Sequence, residues 1–101
     1  MKLPSECESL EEIRGIIDEL DEEIISLFGK RFQYVKEVMR FKSNREEVVA
    51  KERYDKVIEG RRLLAEKNGL SPDLMEKIYH LLLNYFIEEE YKILDRNNTG
   101  H

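Results

Sequence analysis

Residues 9–42 read SLEEIRGIIDELDEEIISLFGKRFQYVKEVMRFK, and this stretch decides the fold of the chain. Its apolar residues recur at alternating steps of three and four, which is the heptad spacing of a helix that packs along another helix. These residues, which we call the seam, are Leu10, Ile13, Ile17, Leu20, Ile24, Leu27, Tyr34, Val38 and Phe41. A capping-box pattern, Ser9-Leu10-Glu11-Glu12, precedes them. The spacing predicts one helix, which at about 1.5 Å per residue is roughly 50 Å long.

Two shorter helices are predicted in the second half of the chain. The three predicted helices span about residues 9–42, 51–67 and 72–96. Asn68-Gly69 ends the second helix, since glycine suits the left-handed C-cap, and Ser71-Pro72 starts the third with an N-cap and a proline. The third helix has an apolar stripe of its own: Tyr79, Leu83, Phe86 and Leu94. We expect residues 43–50 to form a loop or frayed turn, and residues 97–101 to be a disordered tail.

The length of the first helix predicts a homodimer. The chain has 101 residues, which is enough for one domain, so we predict a single all-α domain over residues 1–101. Charged residues make up 39% of it, so its apolar residues must be concentrated on narrow stripes. Two short helices cannot cover the whole of a helix about 50 Å long. Pairing of two chains around their long helices would bury the rest of the seam in an intertwined bundle.

Composition limits the function classes that need to be considered. A net charge of −5 argues against general binding to nucleic acids or membrane surfaces, because such binding favours an excess of basic residues. No apolar run approaches the roughly 20 residues that cross a bilayer. The single cysteine, Cys7, cannot form an intramolecular disulfide, so we expect a reducing, cytoplasmic location. His80 has no His, Asp or Glu cluster at metal-ligand spacing, and no glycine-rich phosphate loop is present. We expect neither a metal nor another cofactor.

Two charged residues occupy positions where the apolar spacing requires a hydrophobic side chain. Arg31 lies on the seam after Leu27, and Glu90 lies on the stripe of the third helix after Phe86. Burying an unpaired charge costs several kcal/mol, so each needs a partner or an altered protonation state. One interpretation is structural: the two residues pair with each other or fix the register of the dimer. The other interpretation is that both belong to a ligand site.

Two further cations flank the seam and favour the second interpretation. Arg14 and Lys42 each follow a seam residue directly. Singly, each is typical of a helix charge whose stem lies along an apolar surface. Together with Arg31 they would place three cations around one apolar cavity. Such a cavity suits a small ligand with two carboxylates, because guanidinium groups bind carboxylates through two hydrogen bonds.

These residues also resemble a known family, the all-helical chorismate mutases. The resemblance rests on the order Ile13-Arg14-x-x-Ile17-Asp18-x-x-Asp21, Arg31, Lys42, Glu52-Arg53 and the polar Glu90, and it covers about residues 10–92. Within the family the chain is most similar to the isochorismate-pyruvate lyases of salicylate and siderophore biosynthesis. The similar segments are residues 29–36 (GKRFQYVK), residues 40–42 (RFK), the short loop after Lys42, and residues 65–70 (AEKNGL).

The resemblance implies an intertwined homodimer with two active sites, each built from both chains. It implies that Arg14 of one chain and Arg31 of the other bind the substrate carboxylates. Lys42 would donate to the ether oxygen of the enolpyruvyl group, and Arg53 would help to close the site. Glu90 would stand where many members have glutamine, and it must then be a protonated acid to donate. The implied chemistry is pericyclic and uses no cofactor.

Departures from the mutase pattern favour the lyase. Many mutases have a glutamate directly after the arginine that matches Arg53, where it binds the ring hydroxyl of chorismate; this chain has Tyr54. They also often have an aspartate where this chain has Ala50. We therefore expect conversion of isochorismate to salicylate and pyruvate, with side mutase activity. The alternatives are a dedicated mutase that converts chorismate to prephenate, and a non-catalytic helical dimerisation module, which would leave Arg31 and Glu90 unexplained.

Overall fold

The computed structural model describes residues 1–99, and every regular element in that part of the chain is a helix. The four α-helices are α1 Leu10–Val38, α2 Arg45–Val49, α3 Lys51–Lys67 and α4 Pro72–Thr99, and two 3₁₀ helices span Pro4–Glu6 and Met39–Phe41. The predicted all-α class is confirmed. None of the described helices is long and apolar enough to cross a membrane.

The first long helix starts where the capping box predicts. Ser9 Oγ accepts a hydrogen bond from the Glu12 N–H at 3.0 Å, and the Glu12 carboxylate accepts one from the Glu8 N–H at 3.2 Å. Lys2 forms an ion pair with Glu12, and its hydrogen bond is the main cause that lowers the pKa of Glu12. No residue of α1 is buried in this chain.

The first helix was predicted to run to about residue 42, and the helical run changes type before it ends there. The α-helix ends at Val38, and the chain tightens into the 3₁₀ helix Met39–Phe41. Met39 is buried there and packs with Val48 and Leu94. The burial of Met39 accounts for the change, because apolar contact with α2 and α4 outweighs continuation of the seam.

Two predictions about segments outside the three predicted helices were wrong. Residues 43–50 were predicted to be a loop or frayed turn, yet residues 45–49 form α2. Its N-cap residue, Asn44, accepts a hydrogen bond from the Glu47 N–H at 2.8 Å. The tail was predicted to be disordered from residue 97, but α4 continues to Thr99. Residues 100 and 101 lie outside the described part of the chain.

Residues 1–34 form one compact unit, and the residues from Val35 onward form a second. The first unit contains most of α1, preceded by the 3₁₀ helix Pro4–Glu6. In the second unit α3 and α4 form a helical hairpin, and α2 packs on α4. The prediction of a single domain over residues 1–101 stays a prediction.

The turn between α3 and α4 follows its sequence signals. Gly69 has a φ of +72°, the left-handed conformation that glycine adopts without a steric penalty. Ser71 Oγ accepts from the Leu74 N–H at 3.2 Å and so caps α4. Arg62 of α3 contacts Asp73 and Glu76 of α4, each at 2.9 Å, and the hydrogen bond to Asp73 is the largest cause that raises the pKa of Arg62.

Candidate functional site

Lys42 and Glu90 lie side by side in the second unit. The Lys42 Nζ is 4.0 Å from Glu90 Oε1, and the two side chains are only 18% and 8% exposed. The predicted burial of Glu90 is confirmed: among residues 1–99 it is the one charged residue that is buried. A buried carboxylate is stabilised by a nearby cation and destabilised by loss of water. The pair therefore forms a largely buried polar site, which the bond from Lys42 to the Val48 carbonyl connects to the apolar cluster of Met39, Val48 and Leu94.

The main chain of α2 also contacts Lys42. The Lys42 Nζ donates a hydrogen bond to the Val48 carbonyl oxygen at 3.2 Å. An ammonium group carries three donors and no acceptor, so this bond uses one N–H. The distance to Glu90 exceeds the length of a hydrogen bond. Lys42 is thus fixed by one backbone acceptor while its charge lies beside a carboxylate, which suits donation to a further oxygen atom.

The three predicted arginines lie on other parts of the chain. Arg14 and Arg31 belong to α1 in the first unit; Arg14 is exposed and Arg31 is half-buried. Arg53 is an exposed residue in the first turn of α3. Arg14 and Arg31 are 17 positions apart on one unbroken helix, which separates them by about 25 Å along its axis. A small dicarboxylate cannot contact both guanidinium groups of the same chain.

A second polar cluster, which the sequence did not predict, joins α3 to α4. The Tyr54 hydroxyl lies 2.7 Å from His80 Nδ1 and donates to Asn84 Oδ1 at 2.9 Å. Because the hydroxyl has one proton, donation to Asn84 requires the His80 Nδ1–H to donate to the tyrosine oxygen. His80 Nε2 lies 3.3 Å from a Glu76 oxygen. His80 is partly exposed.

Only part of this cluster had a sequence signal. Glu76, His80 and Asn84 follow one another at steps of four, the spacing of neighbours on one helix face. Nothing in the sequence aligns Tyr54 with them, because the alignment depends on how α3 packs against α4. Within residues 1–99, no group of three or more His, Cys, Asp or Glu side chains is arranged to hold a metal ion.

Comparison with known proteins adds a family and two relatives. Residues 13–91 match the family model described as chorismate mutase type II. The chain is 35% identical to the isochorismate pyruvate lyase of Pseudomonas aeruginosa over 92 residues, which is 91% of each protein. It is 40% identical to the T-protein of Haemophilus influenzae over 85 residues, 83% of this chain but 22% of that larger protein.

Proposed function

Because the chain belongs to the type II chorismate mutase family, as its motifs predict, we propose that it is an isochorismate-pyruvate lyase. In this reaction the ether C–O bond of isochorismate breaks while a hydrogen moves from the ring to the enolpyruvyl methylene carbon. The products are salicylate and pyruvate. The similarity to the Pseudomonas lyase, which extends over nearly the whole of both chains, supports this choice.

The observation that carries the proposal is the position of Lys42. Negative charge develops on the ether oxygen as the C–O bond breaks, and a preorganised cation in a site of low polarity stabilises that charge far more than water does. Lys42 is largely buried, is held by the Val48 carbonyl and lies beside Glu90. In its protonated form, Glu90 supplies a second donor to the same oxygen. No nucleophile is needed for this chemistry.

The contacts of Tyr54 support the lyase over a dedicated mutase. Many members of the family have a glutamate here, which accepts a hydrogen bond from the ring hydroxyl of chorismate. The Tyr54 hydroxyl instead contacts His80 and Asn84 of α4. The chain therefore has no carboxylate at this position, and it gives up a contact that chorismate would use more than isochorismate.

A dedicated chorismate mutase is the second candidate, and the description of the matched family favours it. The same cations would hold chorismate in the folded conformer from which it rearranges to prephenate. A non-catalytic dimerisation module is a third candidate. It gives no reason for a lysine beside a buried glutamate, because an apolar pair at these positions would pack at least as well.

The proposed site is shared between two chains. The seam residues of α1 are exposed, including Ile17 at 48% and Leu27 at 61%, and a second copy of the chain would bury them. Because Arg14 and Arg31 are about 25 Å apart along α1, one substrate molecule could contact both only if one of them came from the second copy. We assign Arg14 of the partner chain and Arg31 to the binding of the substrate carboxylates, and Arg53 to the closing of the site.

Measurement of products distinguishes the three candidates. The purified protein is incubated separately with isochorismate and with chorismate, and salicylate, pyruvate and prephenate are quantified. Lys42→Ala, purified in the same way, controls for contaminating enzymes. The proposal predicts salicylate and pyruvate in equal amounts and a higher kcat/KM for isochorismate than for chorismate. A preference for prephenate formation would support the mutase, and a folded protein inactive on both substrates would leave the dimerisation module.

A further inference from the structure

The short helix α2 is held together by a reciprocal cap. Asn44 Oδ1 accepts from the Glu47 N–H at 2.8 Å, and the Asn44 amide donates back to Glu47 Oε1 at 3.0 Å. The same carboxylate accepts from the hydroxyl and the N–H of Ser43, at 3.1 and 3.2 Å. A helix of five residues does not form alone, because nucleation costs more than so few internal bonds return. These bonds therefore contribute much of the local stability of α2.

The opposite side of α2 is fixed to α4. Val48 is 2% exposed and packs in the core cluster with Leu94. The Arg45 guanidinium lies 4.4 Å from the centre of the Tyr91 ring and 3.5 Å from Asp95. The Val48 side chain is thus buried while its carbonyl accepts the bond from Lys42. Any movement of α2 would move the acceptor that orients the ammonium group.

We propose that α2 positions Lys42 for the reaction and that Glu47 is the positioning residue that keeps α2 in place. The inference rests on the proposed role of Lys42 as donor to the ether oxygen. A lysine side chain has a flexible four-carbon stem. It stabilises a transition state less well when its ammonium group occupies many positions. The Val48 carbonyl limits those positions, and the cap formed by Glu47 holds the carbonyl. Glu47 acts through α2 without touching the substrate.

Glu46 provides a matched control on the same helix. It has the same charge as Glu47, stands next to it in the first turn and is exposed. Within the described part of the chain its side chain makes no hydrogen bond or ion pair. Removal of either carboxylate alters the interaction with the helix dipole by a similar amount. Only removal of Glu47 breaks the cap.

The test compares Glu47→Ala with Glu46→Ala in the full chain, with isochorismate as substrate. Glu47→Ala should lower kcat by about three- to tenfold, since the loss of a cap shifts a marginal local equilibrium by about that factor. KM should change by less than about twofold, because Lys42 acts mainly in the transition state. Amide hydrogen exchange at residues 45–49 should quicken, and exchange in α3 and α4 should match that of Glu46→Ala. Glu47→Gln, whose amide oxygen accepts one of the lost bonds, should recover part of kcat.

Several results would overturn the inference. One is a kcat of Glu47→Ala equal to that of Glu46→Ala; another is unchanged exchange at residues 45–49. A loss of kcat together with faster exchange throughout α3 and α4 would indicate a general structural role. If Glu47→Ala does not fold, Asn44→Ala replaces it, with the same decrease expected and wild-type kcat contradicting the idea. A wild-type protein inactive on isochorismate and chorismate would refute the proposed function, whereas an active one with unaffected variants refutes only the role of α2.

Discussion

Lys42 and Glu90 affect both the stability of the fold and the proposed chemistry. Their side chains are nearly buried and only 4.0 Å apart, so the charge on one affects the stability of the charge on the other. The ammonium group is also bonded to a backbone carbonyl. This arrangement separates two questions that variants can answer: what the lysine contributes to turnover, and in which protonation state the glutamate acts.

Lys42→Ala should lower kcat strongly and the free energy of unfolding only slightly. Removal of a transition-state donor lowers kcat by about 100-fold or more. The cost in stability should be about 1–2 kcal/mol, because Glu90 can take up a proton once the cation has gone. Steady-state kinetics and thermal unfolding of the same preparation measure both effects. Lys42→Gln, which keeps a donor but no charge, should retain little activity, and near-normal turnover in Lys42→Ala would mean that the site lies elsewhere.

Glu90→Gln should change the pH dependence of activity. Glu90 helps the ether oxygen only while it carries a proton; when ionised, it places negative charge where negative charge develops. Activity of the wild type should therefore fall as pH rises and Glu90 loses its proton. Glutamine donates at every pH, so the activity of the variant should not fall in this way as pH rises. The measurement is kcat/KM against pH for both proteins within the range where each is folded, and identical profiles would leave Glu90 as a structural partner of Lys42.

At the scale of elements, the junction between α2 and α3 contains one unfavourable backbone conformation. Ala50 has a φ of +44°, in the left-handed region that an alanine side chain disfavours. It ends α2 and immediately precedes α3. This conformation at a single residue lets α3 begin directly where α2 ends.

Ala50→Gly should stabilise the protein by about 0.5–1 kcal/mol. Relief of the left-handed strain outweighs the greater entropy that glycine has in the unfolded chain. Ala65→Gly is the control, since Ala65 lies inside α3 and the same change there should destabilise by about 1 kcal/mol or more. Chemical denaturation of both variants gives the two free energies. A destabilised Ala50→Gly would mean that this backbone conformation is not strained.

The helix caps are features that the sequence alone predicts. Ser9 and Ser71 cap their helices as predicted because each pattern involves only residues adjacent in sequence. The helix α2 carried the same signal, since Asn44 and Glu47 stand three positions apart like Ser9 and Glu12. So short a helix has no apolar periodicity, so the apolar spacing does not predict it.

The features that could not be predicted from the sequence depend on contacts between residues that are distant in the chain. The early end of α1 follows from the burial of Met39 against Leu94, which no local pattern encodes. Lys42 and Glu90 were each recognised as candidates from their spacing and from the family resemblance. The bond from Lys42 to the Val48 carbonyl could not be predicted, because every residue type has the same backbone carbonyl group.

At the scale of the whole molecule, the exposed seam of α1 determines the expected assembly. The protein should sediment as a dimer at micromolar concentration, since two seams bury each other's apolar residues. Leu20→Glu, which places a charge on the seam, should shift the protein towards monomer, whereas Glu22→Lys, at an exposed position off the seam, should not. Sedimentation velocity measures all three proteins, and a folded wild-type monomer would remove the shared site.

The most direct test of the whole account mixes two inactive chains. Arg14→Ala and Lys42→Ala should each have very low lyase activity as homodimers. In a mixed dimer, one site combines the intact Arg14 of one chain with the intact Lys42 of the other. Co-refolded equal mixtures should therefore recover about a quarter of wild-type activity, since about half the dimers are mixed and each has one complete site. A mixture as inactive as its two components, with mixed dimers verified by mass, would contradict a site shared between chains.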